Sequence, residues 1–260
     1  MTTKSPSEIP PVSSRDLIRE LERAPRGALA FDGDGTLWSG DVGEDFYFGI
    51  LDSGTMGASA RDALLDEARK VVEVRADIAR VGRDYYAAYH AGRVDELLVC
   101  EVMTWISAGW TEGETRAFVD SVIDDAFVER LHPEVAEVAR AARAMGHEIF
   151  VVSASPRPIV EAAAAIAGIP RENVIAADAI VQGDRFIAAV RRPIPYGPGK
   201  SSALRAKLEE RSDLPLLAAF GDSAFDEDML RASERPVAVR PKPKLVARAP
   251  HLPKLRVLAR

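Results

Sequence analysis

Gly27-Ala28-Leu29-Ala30-Phe31-Asp32-Gly33-Asp34-Gly35-Thr36 runs a short apolar segment straight into two acids set among glycines. Far downstream, Leu216-Leu217-Ala218-Ala219-Phe220-Gly221-Asp222-Ser223-Ala224-Phe225-Asp226 repeats the form. Short continuous apolar runs bounded by glycine read as strands buried on both faces of a parallel sheet. In open α/β sheets, ligands bind just outside the carboxyl ends of such strands. Carboxylates gathered there repel one another unless a hard cation neutralises them, and Mg²⁺ takes an oxygen site of that kind. The two stretches point to an α/β fold with a metal-dependent site.

Between them the α/β rhythm is interrupted once. Trp38 to Leu131 carries helical patterning and almost no strand signal, with glycines at 49, 54, 57, 82, 92, 109 and 113 dividing it into several helices. From Asp32 to Ser153 the chain runs 121 residues, far more than the roughly 30 a strand-helix-strand unit needs. A helical insertion therefore follows the first strand. Glu134–Met145 then places Val135, Val138, Ala139, Ala142 and Met145 at helical spacing, Gly146 ends it, and Glu148–Val152 reads as a strand. Pro158 suits the first turn of the next helix, Gly168 with Pro170 ends it, and Asn173–Ala176 reads as another short strand. Ser153 to Lys200 leaves room for a helix, a strand and an excursion. At the other end, Ser13 or Ser14 caps a helix reaching Ala24, with Leu17, Leu21 and Ile18 facing inward. Residues 1–13 read as a disordered lead.

Composition narrows the class. Hydrophobic residues make up 47% and charged residues 28% of the 260, ordinary for a soluble globular protein. The net charge of −6 gives no reason to expect nucleic acid or an anionic membrane as partner. The lone Cys100 excludes an intrachain disulfide and, with four scattered histidines, argues against a zinc site. Met1 to Val12 lacks the apolar stretch of a secretory signal, and no run is long enough for a membrane span. A cytoplasmic enzyme is the expectation.

Asp32-x-Asp34-x-Thr36 after a strand, then Ser153, Lys200 and Gly221-Asp222-x-x-x-Asp226 in that order, resembles the haloacid dehalogenase (HAD) superfamily, most of all its phosphoserine-phosphatase-like branch. The resemblance runs from about residue 25 to the C-terminus. It implies a doubly wound, Rossmann-like parallel-sheet core over residues 14–37 and 132–260, closed by a helical cap over 38–131. It also implies a Mg²⁺-dependent phosphomonoester hydrolase that passes through an aspartyl phosphate. Asp32 would be the nucleophile and Asp34 the general acid and then base. Ser153, the Ala154 amide and Lys200 would hold the phosphate. Asp32, the Asp34 carbonyl and Asp222 would ligate Mg²⁺, with Asp226 orienting a metal-bound water and Thr36 bracing the loop. An acid at position 34 is kept by the superfamily's phosphatases and phosphomutases and missing from its dehalogenases. A phosphotransferase or mutase shares these residues, and a non-catalytic phosphate-binding protein is the third alternative.

The substrate pocket is less legible. Asp41 and Glu44 stand where the resemblance places a cap acid that grips a substrate ammonium, and Arg157 near the site mouth would suit a carboxylate. Trp38, Phe46, Tyr47 and Phe48 are interleaved with these acids. They would either face a cation such as a quaternary ammonium or fill the cap's own core. Many phosphoserine phosphatases carry Asn immediately before the last motif acid, and Phe225 stands there instead. The expected substrate is a small soluble phosphate ester, with phosphoserine, phosphocholine and other amino-alcohol phosphates as the candidates.

Overall fold

A computed structural model describes residues 9–74, 77–212 and 214–260. Its main sheet is parallel throughout. The strands are β1 (Pro11–Val12), β2 (Ala28–Asp32), β3 (Glu148–Pro156), β4 (Val174–Ala177), β7 (Leu216–Gly221), β8 (Arg235–Ala238) and β9 (Arg256–Leu258). They lie in the order β1-β9-β8-β7-β2-β3-β4, while β5 (Ala179–Gln182) and β6 (Arg185–Val190) form a separate antiparallel hairpin. The expected disordered lead is corrected at its downstream end. Pro11 and Val12 pair with Val257 and Leu258 as an edge strand, and Ile9 is buried in the core. The upstream part of that expectation, residues 1–8, lies outside the described residues.

The central pair is aligned by its side chains. Every residue of β2 is buried, as a strand covered on both faces requires. Phe31 pairs in register with Phe220, and their rings stack with centroids 4.2 Å apart. That register sets the acids following each phenylalanine side by side at the carboxyl edge.

Helices cover both faces of the sheet. Helix α1 (Ser14–Glu22) is capped by Ser13, which accepts the Asp16 amide, and it buries Leu17 and Leu21. Helix α7 (Pro133–Ala144) starts on a proline and buries Val135, Val138, Ala139 and Ala142. Helices α8 (Arg157–Ile166), α9 (Pro198–Glu209), α10 (Glu227–Ala232) and α11 (Pro243–Arg248) complete the layers. The insertion folds as α2 (Val42–Ser53), α3 (Ala58–Ala68), α4 (Ile78–His90), α5 (Glu96–Trp105) and α6 (Glu112–Val122), then a 3₁₀ turn at Asp125–Arg130. Among the described residues no helix is long and apolar enough to cross a membrane.

The excursion before Lys200 is the β5–β6 hairpin, and it reaches across to the cap. Gly109 donates to the Phe186 carbonyl at 2.8 Å, and Phe186 donates to the Trp110 carbonyl at 2.9 Å. Arg192 grips Glu101 of α5 with two bonds, at 2.7 and 2.5 Å. The hairpin thus adds to the cap's two chain connections and to the packing of α2, α5 and α6 on α8 and β3.

Phe31→Ala should lower stability by about 3–5 kcal/mol in urea unfolding, because it empties a fully buried ring site. Phe31→Leu, closer in volume, should cost less than about 1.5 kcal/mol.

Candidate active site

Three carboxylates meet at the carboxyl edge. Asp32 ends β2 and Asp222 follows β7. Asp226 comes from the 3₁₀ turn after it. Their oxygens lie within 4.8 Å of one another and all three residues are buried. Glycines make the approach possible. Gly35 has φ +82°, and a Cβ there would sit 2.2 Å from Asp222 Oδ2. A Cβ on Gly221 would sit 2.4 Å from that of Asp226.

Lys200, in the first turn of α9, answers this charge. Its ammonium donates to Asp32 Oδ1 and Asp226 Oδ1, each at 2.6 Å, with its side chain 6% exposed. Burial pushes the Asp32 carboxyl well above its usual range; the neighbouring Asp226 and Asp222 charges add to this and Lys200 opposes it. Burial alone would depress the Lys200 ammonium, but Asp226 and Asp32 outweigh it and hold its pKa above the ordinary lysine value. Lys200 therefore stays charged. Thr36 Oγ1 donates to Asp32 Oδ2 at 3.0 Å, so both oxygens of Asp32 are oriented.

Asp226 is fully engaged. Besides Lys200, its Oδ2 accepts from the Asp222 and Ser223 amides at 3.2 and 2.9 Å and from the Ser223 hydroxyl at 2.9 Å. Its geometry positions Asp222 and Lys200. Asp222 is pushed up by burial and held down by Lys242, whose ammonium lies 2.9 Å from Oδ2.

Asp34 turns away from the trio. Its Oδ1 accepts from the Trp38 indole and the Val42 amide, both at 2.8 Å. Its Oδ2 accepts from the Ser155 hydroxyl at 2.7 Å and the Ser153 hydroxyl at 3.3 Å. That leaves only its carbonyl for the metal-ligand role expected of it. The β3–β4 ladder skips from Val152 to Pro156, so Ser153, Ala154 and Ser155 form an irregular segment beside Asp32 and Asp34.

On the cap side, Asp41 is the N-cap of α2 and accepts the Glu44 amide at 2.9 Å. Burial raises its carboxyl well above the usual range, and the nearby Asp34 charge raises it further. Among the described residues it has no ion-pair partner. Glu44 instead accepts the Tyr86 hydroxyl. Trp38, Phe46 and Tyr47 are buried, and the Tyr47 hydroxyl donates to the Gly82 carbonyl, so those rings belong to the interior. Tyr86 and Tyr89 of α4 are the rings that feel the Asp41 charge. Cys100 lies in the same region, its thiol pushed up to about 12 by burial and then by Asp41 and Glu96. It stays protonated.

The expectation for Arg157 is corrected. Its guanidinium pairs with Asp178 and donates to the Val174 carbonyl at 2.8 Å. The Val174 carbonyl at the start of β4 and the Asp178 carboxylate just past its end draw it away from the catalytic edge. Sequence reasoning passed over Ser155, Lys242 and the Trp38 indole. Ser155 had a signal, lying one alternation beyond Ser153, whereas Lys242 reaches Asp222 only because its loop folds back after β8. Phe225 packs on Tyr196, ring centroids 4.6 Å apart, beside the start of α9.

The sequence profile of the haloacid dehalogenase-like hydrolase family matches residues 29–231, and the chain belongs to that family. It is similar to an inhibition of morphological differentiation protein of Streptomyces azureus, with 28% identity over 155 residues, 58% of this chain and 55% of that protein. It is also similar to a phosphoserine phosphatase of Halobacterium salinarum, 30% identical over 145 residues, 55% of this chain and 65% of that one. These matches thus span between half and two thirds of the relatives' own lengths. A crystal structure of a Bordetella pertussis protein of unknown function shares the fold, with a TM-score of 0.73 and 21% identity over 91% of this chain and 99% of that one.

Lys200→Met should destabilise the protein by about 3–5 kcal/mol at pH 8, since it strands buried carboxylates without their ammonium. A carboxyl whose folded pKa is raised destabilises the fold increasingly as pH climbs past its ordinary range near ~4. The deficit should therefore shrink as pH falls towards that range, which urea unfolding at two pH values would show.

Proposed function

We propose that the chain is a Mg²⁺-dependent phosphomonoester hydrolase working through an aspartyl phosphate on Asp32. The observation that carries this reading is the buried Asp32–Lys200 pair set between Asp222, Asp226 and the Ser153 segment. An oxygen-only donor set with three carboxylates against one buried ammonium fits a hard divalent cation. Asp32, Asp222 and the Asp34 carbonyl would hold it, and the cation would supply charge neutralisation for the phosphoryl oxygens.

The chain's own groups divide the remaining work. Asp32 attacks phosphorus and displaces the ester oxygen, splitting hydrolysis into two steps. Asp34, held by an indole, an amide and two hydroxyls, supplies the proton to the leaving alkoxide and later takes one from water. Lys200 stabilises charge that builds on the phosphoryl group, orients Asp32 and opposes the rise that burial imposes on its carboxyl. Ser153 and the Ala154 amide sit at the start of the irregular segment before α8, where an anion is favoured.

For substrate, Asp41 supports an ester with a cationic nitrogen. It is a half-buried carboxyl whose charge Tyr86 and Tyr89 feel, held above its usual range by burial and by Asp34, and an ammonium beside it would favour its ionised form. The Halobacterium relative named a phosphoserine phosphatase supports the hydrolase class. Phe225, packed on Tyr196 where many such enzymes carry Asn, favours amino-alcohol phosphates over phosphoserine itself.

Asp32→Asn should abolish phosphate release, whereas Asp34→Asn should cost roughly 10²–10⁴-fold, and less with a nitrophenyl leaving group. Near-normal turnover by Asp32→Asn would exclude the covalent route. A panel of phosphate esters assayed with Mg²⁺ should rank amino-alcohol phosphates above neutral sugar phosphates by at least about tenfold in kcat/KM, or ~1.4 kcal/mol. Asp41→Asn should erase that ranking. It should also stabilise the fold at neutral pH relative to pH ~4, because it removes a raised carboxyl while Asn still caps the helix.

A further inference from the structure

Two lysines serve the acidic trio, and they differ in kind. Lys200 is buried and bonded to two carboxylates. Lys242 comes from Pro241-Lys242-Pro243 after β8, and its side chain is 61% exposed while the Asp222 side chain it meets is 4% exposed. The loop is anchored without that ammonium, because the Lys242 amide donates to the Asp222 carbonyl at 2.7 Å and the Val239 amide donates to the Gly221 carbonyl at 2.9 Å. The exposed stem can swing while the backbone stays in place.

We propose that Lys242 is a resident counter-ion for Asp222, occupying its carboxylate in the metal-free protein and yielding it when a divalent cation binds. The proposal rests on the metal-dependent reading of the site. Its physical basis is charge exclusion. A buried carboxylate needs a positive partner, and an ammonium 2.9 Å from one of its oxygens repels a second cation brought to the same group. Metal then binds against an internal competitor, and removing the competitor tightens binding. The exposure of Lys242 keeps the effect modest, as for other solvent-screened pairs.

Calorimetric titration of MgCl₂ without substrate, at low ionic strength, compares the wild type with Lys242→Met, Lys242→Gln, Lys242→Arg and Lys244→Met. Both neutral variants at 242 should bind Mg²⁺ about three- to tenfold more tightly. Their metal-free forms should melt lower and gain more in Tm on adding Mg²⁺. Lys242→Arg should resemble the wild type, and Lys244→Met should change affinity less than about twofold. Lys242→Gln keeps a hydrogen-bond donor, so agreement between the two neutral variants assigns the effect to charge and not to packing. If Mg²⁺ affinity is unchanged or weaker in both neutral variants while the wild type binds, the counter-ion role is overturned and the metal site stands. If no chain binds Mg²⁺, both fall together.

Discussion

A buried ammonium held between two carboxylates, with a third beside them, is the constraint the rest of this molecule serves. Taking such charges out of water costs several kcal/mol per ion unless the partners are placed well. The placement comes from apolar structure. Phe31 stacked on Phe220 locks β2 to β7 in a register that delivers Asp32 and Asp222 side by side. Gly35 and Gly221 remove the two Cβ atoms that would keep the carboxylates apart. The first turn of α9 then brings Lys200 across the edge from a segment distant in sequence. Each of these is ordinary packing or backbone freedom. Their common outcome is a compensated charge cluster where a solvated turn would otherwise stand.

Asp32 and Asp34 are two residues apart yet live in different surroundings. Asp32 is fixed by Lys200 and Thr36 and lies among like charges, whereas Asp34 is fixed by neutral donors from Trp38, Val42, Ser153 and Ser155. Environments that separate two carboxylates in this way are how one site assigns a nucleophile and an acid–base group. The charged partner favours the ionised form of Asp32, against the burial and the like charges that raise its carboxyl.

The edge of the sheet was legible in the sequence because it is local. An apolar run, a glycine and an acid are adjacent in the chain, so four central strands, the motif acids and the long helical insertion could be placed from residue order, while the edge strand at Pro11–Val12 could not. What escaped depended on distant segments meeting. Lys242 meets Asp222 only through a returning loop, and Arg157 leaves the site because Asp178 and the Val174 carbonyl stand closer. The hairpin around Gly183-Asp184 has an ordinary turn signal, but nothing local says that its far strand will bond to Gly109 and Trp110 of the cap. The aromatics after Thr36 were ambiguous for a similar reason. Their pattern suits either a ligand or a core, and the cap's other helices decided for the core at Trp38, Phe46 and Tyr47.

The cap's attachment also bears on how a substrate would be selected. Asp41 caps α2, and Val42, the first residue of that helix, donates its amide to Asp34. Asp41 and Asp34 are therefore braced by one helix start. A displacement of α2 large enough to move Asp41 would also break a bond to Asp34. The hairpin adds a second restraint from the core, through Arg192 on Glu101 and the backbone bonds at Gly109 and Trp110. On the proposed reading, recognition of an amine and proton transfer to the ester would be coupled through this geometry. A ligand that failed to satisfy Asp41 would leave a half-buried carboxyl without a partner near the proposed proton donor, and selectivity of this kind would arise at the chemical step as well as in binding.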